Sequence, residues 1–142
     1  MSIPQTQAPI GQATVERLAI ALNRCFETLT ADEDLFSPDA FFDLLPPFWR
    51  FQLKGPEAFV AQLRAITEGE VSSRVLRMVP TASGFVLEQE ETQRGAKTEI
   101  ARRLWLCDVR DGRIVHATCY CNGGWDDELR ARHAAEAPML QP

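Results

Sequence analysis

The stretch EIARRLWLCDVRDGRIVHATCYCN, residues 99–122, decides how this chain folds. On either side of Asp111-Gly112 the residues alternate between apolar and polar, the period of a strand with one buried face. Asp-Gly is the dipeptide a two-residue hairpin turn prefers, because both turn positions need a positive φ. The pattern therefore predicts two antiparallel strands, over 99–109 and 113–122. Moving outward toward the N-terminus, the same alternation predicts strands over 71–80 and 85–93. The connections Thr81-Ala82-Ser83-Gly84 and Arg94-Gly95-Ala96-Lys97 are turn-rich. Four strands joined by short turns make an antiparallel meander.

Before residue 71 the period becomes helical. Val15, Leu18, Ala19, Leu22, Phe26 and Leu29 recur at helical spacing, with Thr14 ahead of them as an N-cap. Phe41-Phe42-Asp43-Leu44-Leu45 reads as a short buried strand or the end of a helical turn, stopped by Pro46-Pro47. Trp49, Phe51 and Leu53 alternate with Arg50, Gln52 and Lys54 as a half-buried strand. Gly55-Pro56 then turns into a helix whose apolar face is Phe59, Val60, Leu63 and Ile66, with Pro56 at its first position. Past Trp125, Asp126-Asp127-Glu128 places acids where the dipole of a last helix favours them. Strands in one block with helices gathered on one face define an α+β domain.

The composition agrees with a globular chain: 142 residues, 45% hydrophobic and 25% charged, enough for one core. No stretch approaches the roughly 20 apolar residues of a membrane span. The net charge of −5 argues against a nucleic-acid partner, which requires a concentrated basic face. Met1 to Gln12 lacks the charged start and apolar run of an export signal, so the expected location is cytoplasmic. There the four cysteines, at 25, 107, 119 and 121, would be reduced thiols. Cys119-x-Cys121 has no second ligand pair at zinc spacing, so no metal and no cofactor is expected.

Three stretches carry a family resemblance: Phe42-Asp43 before the proline-bearing loop, Lys54-Gly55-Pro56-Glu57-Ala58-Phe59 opening a helix, and Asp111-Gly112-Arg113-Ile114 followed by Tyr120-Cys121-Asn122. Together they resemble the nuclear transport factor 2-like superfamily, in its SnoaL-like branch named for polyketide cyclases. The resemblance implies a cone-shaped α+β barrel, in which a curved antiparallel sheet wraps the N-terminal helices around an internal pocket. It implies a single SnoaL-like domain over 14–137, between a flexible N-terminal segment, 1–13, and a C-terminal tail, 138–142.

Asp43 among phenylalanines and leucines would lose solvation, which raises a carboxyl toward the range of a general base. An aspartate at the matching place removes the substrate proton in ketosteroid isomerases. The alternative is that Asp43 caps a turn or pairs with Arg50. The tyrosine and acid those isomerases also use are absent, since Cys25, Phe26 and Leu104 stand there. Limonene epoxide hydrolases use an arginine and two aspartates where this chain resembles them at Glu88, Glu90 and Asn122, so epoxide hydrolysis is disfavoured. Glu88, Glu90 and Asn122 are candidate ligand-binding residues; the alternative for Glu88 and Glu90 is a solvated or ion-paired face opposite Arg102 or Arg103.

In the last strand, Ile114, His116, Thr118, Tyr120 and Asn122 share one face by alternation, and Val115, Ala117, Cys119 and Cys121 the other. The first set mixes bulk with hydrogen-bonding groups, as a ligand cavity does. His116 would shuttle a proton and Tyr120 would donate to a developing oxyanion. The alternative for His116 is a core histidine satisfied by a carboxylate such as Glu90. The second set is small and apolar, suited to sheet packing or a homodimer interface. Trp49, Phe59 and Trp105 are candidate walls of the pocket, Trp125 a candidate lid, and Arg103 a candidate partner for an anionic ligand. Two functions follow: a cofactor-free isomerase, cyclase or dehydratase with Asp43, His116 and Tyr120 catalytic, or a non-catalytic small-ligand-binding or homodimeric assembly module.

Overall fold

The computed structural model describes residues 10–141. The order of elements is α1 (Gln12–Thr28), β1 (Phe36–Leu45), β2 (Phe51–Lys54), α2 (Pro56–Ile66), β3 (Glu70–Pro80), β4 (Gly84–Arg94), β5 (Thr98–Arg110), β6 (Arg113–Cys121) and α3 (Asp127–Glu136). The four long strands fall within a residue or two of the positions that alternation predicts. Asp111 and Gly112 have φ of 53° and 74°, the left-handed pair the hairpin requires. Helix α1 starts two residues before Thr14, with Gly11 as its N-cap. Residues 1–9 of the expected N-terminal segment, and Pro142 of the tail, lie outside the described residues.

One six-stranded sheet is formed in the order β2-β1-β6-β5-β4-β3. It is mixed, because β1 lies parallel to β6 while every other pair is antiparallel. The 41–45 stretch is thus the end of a ten-residue strand, and its pairing with β6 carries the sheet past the predicted meander. Helix α1 packs on β3 and β4, and α2 on β1 and β2. Both cover the same, inner face of the sheet, giving the α+β cone expected.

The core between helices and sheet is aromatic. Phe42 and Phe59 stack at 4.7 Å between centroids, and Trp105 meets Phe59 edge-on at 5.9 Å and Phe26 at 6.1 Å. Beside this cluster lies one wholly buried amide, Gln89, with 0% exposure. Its Nε2 donates to Asn23 Oδ1 and Ser73 Oγ, both at 2.9 Å, and its Oε1 accepts from Trp105 Nε1 at 2.6 Å. Ser73 Oγ also donates to Asn23 Oδ1 at 2.6 Å. Each buried polar atom of the glutamine is satisfied, and the network ties α1, β3, β4 and β5 together.

Sheet faces are set by bulges as well as by alternation. In β6, Ile114 pairs with Val109 and His116 with Asp108, so Val115 is an extra residue without a counterpart. Ile114 and Ala117 consequently both face inward and are fully buried. From there on the inward set is Ala117, Cys119 and Cys121, and His116, Thr118 and Tyr120 face outward. This reverses the expected assignment of the two faces beyond Ile114.

Replacing Gln89 by methionine keeps the shape but strands the Trp105 Nε1–H and takes one donor each from Asn23 Oδ1 and Ser73 Oγ, which still bond each other. We expect Gln89→Met to lower stability in urea unfolding by about 1–3 kcal/mol. A loss below about 0.5 kcal/mol would show that the network contributes no net stability.

Candidate functional site

The inner face borders a cavity of about 210 Å³ where α1, α2, β1, β2, β5 and β6 converge. Its walls are the side chains of Phe26, Leu44, Phe51, Phe59, Leu63 and Trp105, with Cys119 and Cys121 on the floor. Each arrives for a local reason. Gly55, at a φ of 90°, lets the chain turn sharply so that Pro56 can start α2 and aim Phe59 and Leu63 at the sheet. Alternation along β5 sends Arg103 and Trp105 to the same side. Burial pushes the Cys119 thiol above its ordinary pKa, so it lines the cavity as a neutral, weakly polar group.

Arg103 is the one charged side chain on this lining. Its Nη1 donates to Glu91 Oε2 at 2.9 Å, and only 11% of its side chain and 6% of that of Glu91 is exposed. The guanidinium lies over the Phe26 ring, 4.6 Å from the centroid. Burial, the largest single influence, works against its charge, but the Glu91 carboxylate together with the other groups around it offsets burial and holds Arg103 above its ordinary value. A permanent cation is thus held inside an apolar chamber.

Of the residues singled out in the sequence, Phe59, Arg103 and Trp105 meet at this cavity. The others lie elsewhere. Asp43 faces outward and takes two 2.8 Å bonds from Arg50 Nε and Nη2. Those bonds hold its carboxyl below, not above, the ordinary 3.8, which corrects the expectation of a raised pKa. His116 packs edge-on against Phe41 at 5.1 Å on the outer face, and Tyr120 there is 49% exposed. Glu90 does not reach His116, because Arg74 and Arg102 bind it at 2.8 and 3.2 Å. Glu88 shares its outward side.

Asn122 closes the end of the sheet, its Oδ1 accepting from Arg102 N at 2.8 Å. With Glu88, Tyr120 and Asn122, Arg103 also touches a shallower depression of about 340 Å³ at the sheet's lip. Trp49 is 72% exposed in the loop before β2, so it is no cavity wall. Trp125 forms an isolated bridge with Ile100 and packs on His133 at 5.1 Å, and it is not among the residues lining the cavity. Cys119 and Cys121 face the cavity, which removes that set from any interface between outer faces. Among the described residues, no group of three His, Cys, Asp or Glu side chains is placed to hold a metal ion.

Sequence reasoning passed over Glu91, the counter-ion of Arg103. The signal was present: alternation puts Glu91 on the side of Phe85 and Leu87, the apolar and therefore buried side of β4.

The Asp43–Arg50 pair makes a prediction about titration. Because the folded-state pKa of Asp43 is depressed, its contribution to stability is present above the ordinary 3.8 and is lost as pH falls through the lower folded value. Carboxyl NMR should place Asp43 below 3.8, and Arg50→Met should move it upward. A wild-type value near neutrality would restore Asp43 as a general base.

No protein-family model matches the chain, and no curated protein matches it in sequence. Solved structures do match. A protein from Jannaschia sp. CCS1 named after the SnoaL-like polyketide cyclases superposes with a TM-score of 0.63 at 15% identity, over 95% of this chain and 99% of that one. An LEH-like epoxide hydrolase from M. tuberculosis gives 0.62 at 15% identity, over 89% and 98%. A protein from Catenulispora acidiphila with a ketosteroid isomerase-like fold, in complex with trimethylamine, gives 0.60 at 12%, over 72% and 83%. At such identities the likeness is one of architecture. By the three helices and open six-stranded sheet of its described residues, and by these neighbours, the chain has the nuclear transport factor 2-like fold that the SnoaL-like proteins share.

Proposed function

We propose that the protein binds a small, partly hydrophobic molecule inside the cone, as a binding module rather than a catalyst working through Asp43 and His116. The observation that carries this reading is the apolar chamber of about 210 Å³ with a single charged group, Arg103, on its lining. Small-molecule sites have this character, apolar walls and few placed polar groups. Asp43, His116 and Tyr120, which an acid–base isomerase, cyclase or dehydratase would set against its substrate, are turned to the outer face. That placement weighs against proton transfer by those residues in the chamber. The four free cysteines, three of them buried, support residence in a reducing compartment such as the cytoplasm.

A titration followed by amide NMR tests this directly. Toluene and indole should shift the signals of Phe59, Leu63, Trp105 and Cys119 and alter Trp105 emission. An absence of shifts, or shifts confined to the surroundings of His116 and Tyr120, would overturn the reading.

A second property has its own support. Val79, Val86, Leu106 and Thr118 are successive cross-strand partners in one outward row, with Leu104 and Tyr120 beside them. Leu106 and Tyr120 are 45% and 49% exposed. Such an apolar stripe on a sheet suits a second copy of the chain, so we propose a homodimer through the outer face. It employs His116, Thr118 and Tyr120 rather than the cysteine set. Sedimentation should give a dimer that Leu106→Glu converts to monomer; a wild-type monomer at all concentrations would refute it.

A further inference from the structure

Resting on the reading of the cone as a ligand site, we propose that the ligand is a small monocarboxylate, gripped by the free edge of Arg103 with its ring or branched body in the aromatic chamber. A guanidinium has five N–H donors and no acceptor, so whatever faces it must accept. Arg103 spends Nη1 on Glu91, and among the described residues no protein acceptor bonds its Nε or Nη2. Among the described residues Arg130 Nε is the one buried side-chain nitrogen or oxygen left without a partner. The Nε and Nη2 of Arg103 are therefore not sealed off, and they belong to a side chain that borders the cavity.

The same edge has a known use in this molecule. Arg50 holds Asp43 through Nε and Nη2, two parallel bonds of 2.8 Å each. That is the fork by which arginine takes a carboxylate in two-point contact. A ketone oxygen would fill it less completely and bring no charge. Arg103 differs from Arg50 in being 11% rather than 59% exposed, so a partner there is far less screened by water. Its orientation is also fixed beforehand, by Glu91 on one nitrogen and the Phe26 ring against its plane.

Volume limits the rest of the ligand. An apolar cavity of about 150 Å³ accommodates benzene, so about 210 Å³ admits one ring with a short substituent. Phe26, Phe51, Phe59 and Trp105 supply ring faces and edges for it. Leu45, Arg103 and Cys121 border both the chamber and the depression at the sheet's lip. The carboxylate end thus sits at the opening and the apolar end inside.

The test compares three probes by calorimetry: phenylacetate, its neutral isostere phenylacetamide, and toluene. Phenylacetate should bind at least about tenfold more tightly than phenylacetamide. It alone should shift the Arg103 Nε–H resonance of the wild-type protein. In Glu91→Leu/Arg103→Met, which removes both charges and leaves neither buried alone, toluene should still bind and the preference for the acid should vanish. Toluene binding with equal affinities for acid and amide would overturn the carboxylate while leaving the chamber a ligand site. A preference that survives the double substitution would overturn Arg103 as the anchor. Failure of all three probes to bind would remove the ligand site and this inference with it. The resonance shift is read on the unaltered chain, so the outcome does not depend on the variant folding.

Discussion

The buried amide of Gln89 is the constraint around which the rest of the molecule is arranged. An amide at 0% exposure is tolerable only if both its donors and its acceptor are matched. Here the matching groups come from a helix and two other strands: Asn23, Ser73 and Trp105. Sliding α1 along the sheet, or shifting β4 against β5, would strand several of these atoms at once. Apolar packing alone would tolerate small slippages, since neighbouring hydrophobic side chains are interchangeable. The polar network is not interchangeable, and so it fixes where Trp105 stands and, through Trp105, the shape of the chamber.

Two residues along β4 and two back along β5, the same logic places a charge. Glu91 and Arg103 continue the inward rows of Gln89 and Trp105, and each makes the other's burial tolerable. Strand periodicity thus converts one buried polar layer into a second, nearer the open end of the cone. The outer face follows the opposite course. Its charges, Asp43 with Arg50 and Glu90 with Arg74 and Arg102, pair among themselves and leave an apolar stripe between them.

Much of the architecture was legible along the chain. The strands over 70–110 follow from alternation, the hairpin from Asp111-Gly112, and α2 from Gly55-Pro56. The parallel pairing of β1 with β6 was not, because residues some seventy positions apart leave no local mark on each other. The site was legible in part. Phe59, Arg103 and Trp105 were identified and do meet at the cavity, whereas Trp49, Asp43 and Trp125 were also put forward and do not line it. Asp43 sits between apolar neighbours in sequence, but in a strand those neighbours point the other way.

What the sequence determined by itself is the four long strands, the hairpin at Asp111-Gly112, and helices α1 and α2 with their apolar faces. Those depend on local periods of two and 3.6, which each segment carries within itself. Tertiary structure decided which side of β6 looks inward. One unpaired residue, Val115, turns Cys119 toward the chamber and His116 away from it. Whether a residue is paired depends on the strands beside it, and alternation read along a single strand contains no information about its neighbours.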